Sequence, residues 1–232
     1  MAGEIVHHIG GVTLLGGGWV DPADVAMALT IAPDLVAADG GGDRALALGL
    51  MPRAVIGDLD SLSAAGRAAL ADRLQLIAEQ DSTDFGKCLA QVRADFYLGL
   101  GFTGLRLDHT LAALVALVAH PGQIVVLLAE DEVIFCAPAR LRLDLPAGTR
   151  LSLFPMGAAS GVSRGLRWPI DGLDFSPQQR IGTSNEVSTG PVELEITGPM
   201  LVLVPKPHLR AVLHALLPPP AARGEGCKAP KR

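Results

Sequence analysis

The first part of the chain repeats one pattern: a short apolar run, then glycines or acidic residues, then a helix-like segment. Up to about residue 135 the apolar runs lie at 12–15, 34–38, 54–57, 74–78, 96–100 and 124–129. The helix-like segments lie at 21–32, 44–50, 64–73, 84–94 and 108–120. Runs this continuously apolar are typical of parallel strands buried on both faces. The alternation predicts an α/β fold, a doubly wound and mostly parallel sheet with helices on both faces.

After residue 138 the apolar positions alternate with polar ones. Leu141 and Leu143 fall on one face of an extended segment, and Arg140 and Arg142 fall on the other. Similar segments bounded by Pro and Gly follow at 149–157, 191–198 and 200–206. This pattern predicts antiparallel strands with one buried face, as in an all-β sandwich.

The change of pattern divides the chain into three predicted regions. Residues 1–135 form an α/β domain, residues 136–215 form the antiparallel β domain, and residues 216–232 form a tail. The tail has few apolar side chains to bury, so we expect it to be disordered.

Composition narrows the class of protein. The chain has 232 residues, of which 49% are hydrophobic, and a net charge of −5, which disfavours non-specific nucleic-acid binding. Its three cysteines form no CxxC pair, so neither a disulfide framework nor a structural zinc site is expected. The start of the chain does not resemble a signal peptide, and the longest apolar run, 111–119, is too short to span a bilayer. We expect a cytoplasmic protein with no membrane partner.

Acidic residues follow four successive predicted strands. They are Asp39 and Asp43, Asp58 and Asp60, Asp81 and Asp84, and Asp108. Ligands of open α/β sheets bind at this edge of the sheet, and so many carboxylates repel one another unless cations lie between them. Oxygen ligands without His or Cys suit Mg²⁺, which also binds substrate phosphates. The rim therefore predicts a magnesium–nucleotide site.

Each of these residues also has a simpler interpretation. A single strand-end Asp is more often a turn former or helix cap than a ligand, and Asp84 and Asp108 both precede helical segments. Lys87 lies one helical turn after Asp84, where an ordinary ion pair is expected. Trp168 alone would be a partly buried aromatic residue.

Glycine-rich stretches offer both a candidate and a rival site. The triplets at 16–18 and 40–42, which include Gly17, Gly18, Gly40 and Gly41, would let backbone N–H groups approach phosphate, or would simply form turns. The stretch GLGFTG at 99–104 matches the GxGxxG fingerprint of dinucleotide-binding oxidoreductases. That fingerprint belongs on the first strand and runs directly into a helix, whereas this one follows the fifth strand.

The ordered motifs of this chain resemble those of the thiamine pyrophosphokinase (thiamine diphosphokinase) family. The resemblance rests on DGGGDRAL (39–46), PRAVIGDLDS (52–61), QDSTDFGKCL (80–89), GLRLDHTLAAL (104–114), GLRWPI (165–170) and TSNE (183–186). The blocks span roughly residues 10–206, and the ordered set is more specific than any one of them.

The resemblance implies transfer of pyrophosphate from ATP to the hydroxyethyl group of thiamine, giving thiamine diphosphate and AMP. It implies Mg²⁺ as cofactor, ATP as co-substrate, and a homodimer with active sites at the subunit interface. A nucleotide- or thiamine-binding protein of the same fold without catalysis remains an alternative.

The resemblance also implies the site residues. Magnesium would be held by Asp58, Asp60 and Asp84, and the catalytic set would add Lys87, Arg106 and Asp108. The residues that would bind ATP and thiamine are Gly17, Gly18, Asp39, Gly40, Gly41, Asp81, Thr83, Trp168, Ser184 and Asn185. Either Asp58 or Asp108 would orient the thiamine hydroxyl. Two departures stand out: Leu105 replaces a glycine common in the family, and the role of Asp43 in GGGDR is open.

Overall fold

The computed structural model describes residues 6–7 and 10–217. The strands are β1 (Val6–His7), β2 (Gly11–Leu15), β3 (Asp34–Ala38), β4 (Ala54–Gly57), β5 (Leu74–Leu76), β6 (Val92–Arg93), β7 (Phe96–Leu100), β8 (Val125–Leu128), β9 (Glu132–Cys136), β10 (Arg140–Leu143), β11 (Arg150–Pro155), β12 (Ala159–Arg164), β13 (Asp174–Phe175), β14 (Gly182–Glu186), β15 (Val192–Thr197) and β16 (Met200–Pro205). The α-helices are α1 (Pro22–Ile31), α2 (Gly41–Ala47), α3 (Ala64–Ala69), α4 (Asp84–Gln91), α5 (Leu107–Ala119) and α6 (Leu209–Leu216). Short 3₁₀ helices lie at Ala71–Arg73 and Lys206–His208. Most of the predicted tail, residues 218–232, lies outside the described residues.

One large mixed sheet runs through the molecule. Its strand order is β14-β11-β16-β9-β8-β7-β2-β3-β4-β5. The strands from β8 to β5 are parallel, and those from β9 to β14 are antiparallel. The predicted fold class, a mostly parallel α/β sheet followed by antiparallel β structure, is confirmed.

A second, antiparallel sheet supplies the other layer of the sandwich. Its order is β10-β15-β12-β13. Leu141 and Leu143 of β10 are buried, as their alternation predicted. Arg142 lies on the opposite face and pairs with Glu193 of β15 at 2.9 Å. The two short strands β1 and β6 pair with each other in parallel.

Helices cover both faces of the parallel part. Val25 and Ala28 of α1 belong to one core, whereas Phe85 and Leu89 of α4 belong to the core on the opposite face. The first core also contains the sandwich residue Leu143. Helix α1 and the second sheet thus contribute to one continuous apolar core.

The sheet and this core both cross the predicted domain boundary. β9 contains residues 135 and 136, and it pairs with β8 on one side and β16 on the other. The predicted boundary at residue 135 thus falls within a strand of the continuous sheet. The division into two domains remains a prediction. Among the described helices, none combines the length and the apolar character needed to cross a membrane.

Candidate active site

Three carboxylates meet beyond the carboxyl ends of two neighbouring parallel strands. Asp39 follows β3 directly, Asp58 follows β4, and Asp60 lies two residues further on. One oxygen of each lies within 4.8 Å of the others. The backbone is left-handed at Asp39 (φ 41°) and at Leu59 (φ 65°), a conformation that costs free energy for residues other than glycine. Strained backbone of this kind is typical of functional sites.

Asp39 is the buried member of the group. Its side chain is 3% exposed, its Oδ2 accepts a hydrogen bond from the Ser61 N–H at 3.1 Å, and its Oδ1 has no partner among the described residues. Burial raises the pKa of Asp39, and the charges of Asp84 and Asp60 add to the rise, although the hydrogen bonds from Ser61 oppose it. An unpaired buried carboxylate oxygen is the kind of group that a cation satisfies.

Asp58 and Asp60 accept hydrogen bonds from different donors. Asp58 accepts hydrogen bonds from the Gln80 side-chain amide at 2.9 Å and from the Asp60 N–H at 3.3 Å. The Gln80 hydrogen bond, with that from Asp60 and the nearby Lys87 charge, lowers the pKa of Asp58. Asp60 is exposed and accepts a hydrogen bond from the Ser61 hydroxyl at 2.9 Å. Asp58 thus remains ionised while facing two other acids.

Lys87 places a positive charge beside the three acids. Its side chain is 3% exposed, and its Nζ lies 3.1 Å from Asp84 and 3.9 Å from Asp58. Burial acts to lower the pKa of Lys87, but the hydrogen bond and charge of Asp84 and the charges of Asp58 and Glu79 outweigh it and raise the pKa. The expected Asp84–Lys87 ion pair is present. Because Lys87 also reaches Asp58, it links α4 to the end of β4.

Asp84 lies beside these three acids, and its Oδ1 accepts a hydrogen bond from the Lys87 ammonium. A Cβ added to Gly57 would lie 3.0 Å from Asp84 Oδ1 and 2.9 Å from the Asp39 Cβ. Gly57 therefore has to be small so that both acids can approach the end of β4. The three closest oxygens come from Asp39, Asp58 and Asp60, whereas the resemblance implied Asp58, Asp60 and Asp84 as metal ligands.

The loop before α4 contains two residues that we did not predict. Glu79 accepts hydrogen bonds from the Asp81 N–H at 2.7 Å, from the Ser82 N–H at 3.0 Å and from the Ser82 hydroxyl. Gln80 holds Asp58, as described above. Both belong to the polar run EQDSTD, which begins three residues after the end of β5, and that run was the available signal. Asp81 is exposed in this loop.

Thr83 is the N-terminal cap of α4 and stabilises its first turn. Its hydroxyl accepts a hydrogen bond from the Gly86 N–H at 3.1 Å, and its carbonyl accepts one from the Lys87 N–H at 2.8 Å. A threonine cap is a usual helix start. Here it also positions Lys87.

Arg106 and Asp108 pair with each other at the start of α5. Arg106 Nη2 lies 2.6 Å from Asp108 Oδ2, and both side chains are 65% exposed. The Arg106 hydrogen bond lowers the pKa of Asp108 to about 2. The preceding Leu105 has φ 50° and is 79% exposed. The family's glycine would adopt this conformation without strain.

The first glycine triplet packs against another loop. The Gly18 N–H donates a hydrogen bond to the Gly101 carbonyl at 3.0 Å, so it is already paired and is not free to bind phosphate in this conformation. A Cβ at Gly17 would lie 3.4 Å from Gly40. The two predicted glycine stretches therefore lie side by side.

The second glycine triplet is partly helical. Gly40 is the N-terminal cap of α2, and Gly41 is its first residue. Gly41 packs directly against the Leu15 carbonyl, where a Cβ has no room. The sequence pattern predicts a helix from Arg44, three residues after its observed start. Close packing between β2 and α2 explains why glycine is needed here.

Asp43 lies in α2 and has a structural contact. Its two oxygens accept hydrogen bonds from the Ser63 N–H and hydroxyl, each at 2.7 Å. Ser63 in turn caps α3. Asp43 therefore connects α2 to α3, and it is not one of the three acids that lie together.

Trp168, Ser184 and Asn185 form a separate group on the sandwich. Asn185 is buried. It accepts a hydrogen bond from the Trp168 N–H at 3.2 Å and donates one to the Trp168 carbonyl at 2.7 Å. Ser184 has φ 60°, and its N–H donates to the Ser152 hydroxyl at 3.0 Å. The structure thus brings these three predicted residues together, at β14 on the outer edge of the large sheet.

Family models match both parts of the chain. The model described as thiamin pyrophosphokinase, catalytic domain, matches residues 28–127, and the one described as thiamin pyrophosphokinase, vitamin B1 binding domain, matches residues 140–201. Together they cover more than half of the chain. The dinucleotide-binding alternative finds no support in these matches.

Curated relatives agree with the family models. Thiamine pyrophosphokinase 3 of Oryza sativa subsp. japonica is 28% identical over 166 residues, covering 63% of this chain and 62% of the relative. Thiamine pyrophosphokinase 1 of the same organism is 30% identical over 132 residues, covering 50% of each. The chain therefore spans less than two thirds of the length of either relative.

Solved structures support the fold. Thiamin pyrophosphokinase from Candida albicans has a TM-score of 0.73 and 14% sequence identity, with 88% of this chain and 94% of that chain covered. The solved structure thus agrees in fold with the two domain models, which together cover more than half of the chain. The chain belongs to the thiamin pyrophosphokinase family.

Proposed function

We propose that this protein transfers the pyrophosphate group of ATP to the hydroxyethyl oxygen of thiamine. The observation that carries the proposal is the acidic group, which consists of Asp39, Asp58 and Asp60 and lies beside buried Lys87. The chain that contains it matches both thiamin pyrophosphokinase domains. The thiamine oxygen would bond to the β-phosphorus of ATP, while the bond from that phosphorus to the bridging α-phosphate oxygen breaks. AMP leaves with the bridging oxygen, and the hydroxyl proton passes to solvent.

The donor set fits Mg²⁺. Asp39, Asp58 and Asp60 offer hard oxygen atoms within 4.8 Å of one another, and Asp39 Oδ1 is buried with no partner in the described part of the chain. These three residues would hold the ion, with Asp84 alongside them. When bound, magnesium would neutralise charge on the ATP phosphates.

The side chains of the protein would position the reactants. Lys87 is charged and already placed between Asp58 and Asp84, from which it can also contact phosphate. Arg106 would exchange its exposed pairing with Asp108 for a phosphate oxygen, a charge-assisted contact. Asp58 and Asp108 both have lowered pKa values. Either one therefore acts by accepting a hydrogen bond from the thiamine hydroxyl rather than as a strong base.

We propose that the two parts of the chain have different ligands. Residues 1–135 would bind ATP, and residues 136–215 would bind thiamine. The proposed nucleotide side includes Gly17, Gly40, Gly41, Asp81 and Thr83. Gly18, whose N–H is bonded to the Gly101 carbonyl, would line this side without donating to phosphate. The proposed thiamine side consists of Trp168, Ser184 and Asn185, where the indole face would attract the cationic ring of thiamine.

The separation of these two groups supports a homodimer with shared active sites. Asn185 lies in β14, whereas Asp58 follows β4, and the two strands are eight steps apart in the sheet. With strands spaced about 4.8 Å apart, eight steps place the two groups roughly 40 Å apart along the sheet. A molecule of thiamine cannot contact both in one chain, so the second copy would bring its Trp168 group to this acidic group.

An exposed apolar stripe on α5 supports the same assembly. Leu107, Leu111 and Val115 follow one another at four-residue spacing and are 72%, 54% and 52% exposed. Leu105, which precedes the helix and adjoins the Arg106–Asp108 pair in sequence, is also exposed. Such a stripe on a helix is usually covered, and its position next to proposed site residues fits burial against a second copy.

Measuring AMP release tests the proposed function. The protein is incubated with ATP and Mg²⁺, with and without thiamine, and AMP and ADP are separated by chromatography. We expect AMP to form only when thiamine is present. Formation of ADP, or thiamine binding without any AMP, would contradict the proposal, and the second result would favour a non-catalytic binding protein.

A further inference from the structure

Trp168 is held as an exposed aromatic surface. Both of its backbone polar groups are bonded to buried Asn185, and the neighbouring Arg167 N–H donates to the Glu186 carbonyl at 2.8 Å. Trp168 is nevertheless 53% exposed. A large aromatic ring whose backbone is fixed while the ring faces solvent is suited to binding a ligand.

A cation of the same chain already contacts this ring. The Arg167 Cζ lies 4.9 Å from the centre of the Trp168 ring. The same guanidinium has a second partner, because its Nη1 lies 3.4 Å from Glu186 Oε1. Arg167 is 58% exposed, and an exposed cation–π contact is weak enough for a ligand to displace.

We propose that Arg167 determines the affinity of the thiamine subsite by competing with the ligand for the Trp168 ring. In the free protein the guanidinium covers the indole. When a cationic aromatic ligand binds, the guanidinium leaves the ring and keeps Glu186 as its partner. This inference rests on the proposed function, in which Trp168 binds thiamine.

The competition predicts the direction in which each substitution changes the affinity for thiamine. Removing Arg167 frees the ring and also removes a positive charge that repels the ligand cation. Removing the Glu186 carboxylate does the opposite, because the guanidinium then has no second partner and stays on the ring. An exposed cation–π contact changes an equilibrium by about two- to fivefold.

The first experiment measures thiamine binding by equilibrium dialysis. We expect Arg167→Ala to bind thiamine about two- to fivefold more tightly than the wild type, and Glu186→Gln to bind it more weakly. Arg142→Ala is the matched control, because Arg142 forms an exposed pair with Glu193 on the same sandwich and has no ring contact within the described part of the chain. Unchanged or weaker binding by Arg167→Ala would overturn the proposal.

The double variant tests whether Glu186 acts through Arg167. In a protein that already carries Arg167→Ala, we expect Glu186→Gln to have much less effect on thiamine affinity than in the wild type. An equal effect in both backgrounds would mean that Glu186 acts directly on the ligand, and this would contradict the exchange of partners.

A second experiment does not depend on thiamine. With Trp19→Phe, Trp168 is the remaining tryptophan, and its fluorescence is quenched by the flat cation N-methylpyridinium or by neutral acrylamide. We expect Arg167→Ala to raise quenching by the cation about twofold or more, and by acrylamide less. Equal quenching with and without Arg167 would refute the ring contact. If quenching behaves as expected but wild-type protein binds no thiamine, the proposed function fails while the competition at the ring stands.

Discussion

Asp58 and Asp60 lie close together because each is stabilised by a different set of donors. Gln80 and Lys87 favour the ionised form of Asp58, whereas solvent and the Ser61 hydroxyl stabilise Asp60. Asp39 has fewer donors and is buried. With the proposed cation bound, the three acids would therefore gain different amounts of stabilisation, and Asp39 would gain most.

Replacing Asp60 with asparagine tests the role of the exposed acid. We expect Asp60→Asn to lower kcat by at least about 100-fold, because an anionic ligand for the metal is lost, and to leave the melting temperature nearly unchanged. Asp72→Asn is the matched control, since Asp72 is also exposed and lies outside the proposed site. Near-normal turnover by Asp60→Asn would contradict its role in holding magnesium.

The raised pKa of Asp39 leads us to expect an unusual dependence of the free energy of unfolding on pH. Because its pKa is raised in the folded protein, the folded state binds this proton more tightly than the unfolded state. The contribution of Asp39 to stability is thus fully present below about pH 4 and is lost as pH rises through the folded-state pKa. Asp39→Asn cannot ionise, so without Mg²⁺ at pH 7 it should be more stable by about 1 kcal/mol, or roughly 2–4 °C in Tm.

Thermal unfolding at several pH values checks this expectation. The advantage of Asp39→Asn should shrink towards pH 4, and added Mg²⁺ should reverse it by binding the wild type alone. A variant that is less stable than the wild type at pH 7 without Mg²⁺ would show that the buried carboxylate is satisfied in another way.

At the scale of elements, α4 carries Lys87 into the site from a threonine cap. We expect Thr83→Ala to cost about 1 kcal/mol of stability and to lower kcat, because the first turn of α4 loses its hydroxyl partner. Thr83→Ser retains the hydroxyl and should restore both properties. Calorimetry and the AMP assay measure the two effects, and full activity in Thr83→Ala would show that the cap does not position Lys87.

Sequence pattern predicted the parallel strands well because each is a compact apolar run. It placed the start of α2 at Arg44 rather than Gly41, because glycine is a poor helix former and the requirement for it arises from contact with the Leu15 carbonyl. β12 to β14 were not predicted. Their alternation is interrupted by glycine and polar residues. Their positions depend on pairing between distant segments, because β14 pairs with β11, β12 pairs with β15, and β13 pairs with β12.

The candidate site was predictable where acids follow strands and not where loops fold back. Asp39, Asp58 and Asp60 meet as expected from parallel neighbours. The contact of Asp43 with Ser63 depends on how α2 and α3 pack, and the contact of Gln80 with Asp58 depends on the loop before α4. Neither spacing nor composition encodes such contacts.

At the scale of the whole molecule, the continuous sheet holds the acidic group and the Trp168 group apart. If two copies share their sites, an Asp60→Asn chain and a Trp168→Ala chain each lack activity but complement each other. In a 1:1 mixture allowed to exchange subunits, we expect about a quarter of wild-type activity, because half of the dimers would be mixed and each would contain one intact site. Heterodimers without activity would contradict shared sites.

If the acidic group acts as proposed, a whole pyrophosphate is transferred from ATP to thiamine. Phosphorus NMR of a reaction with ATP, Mg²⁺ and thiamine tests it most directly, because it identifies both products in one sample. We expect the ATP signals to be replaced by those of AMP and of the diphosphate ester of thiamine in equal amounts. Appearance of ADP with thiamine monophosphate, or of AMP with free pyrophosphate, would contradict it.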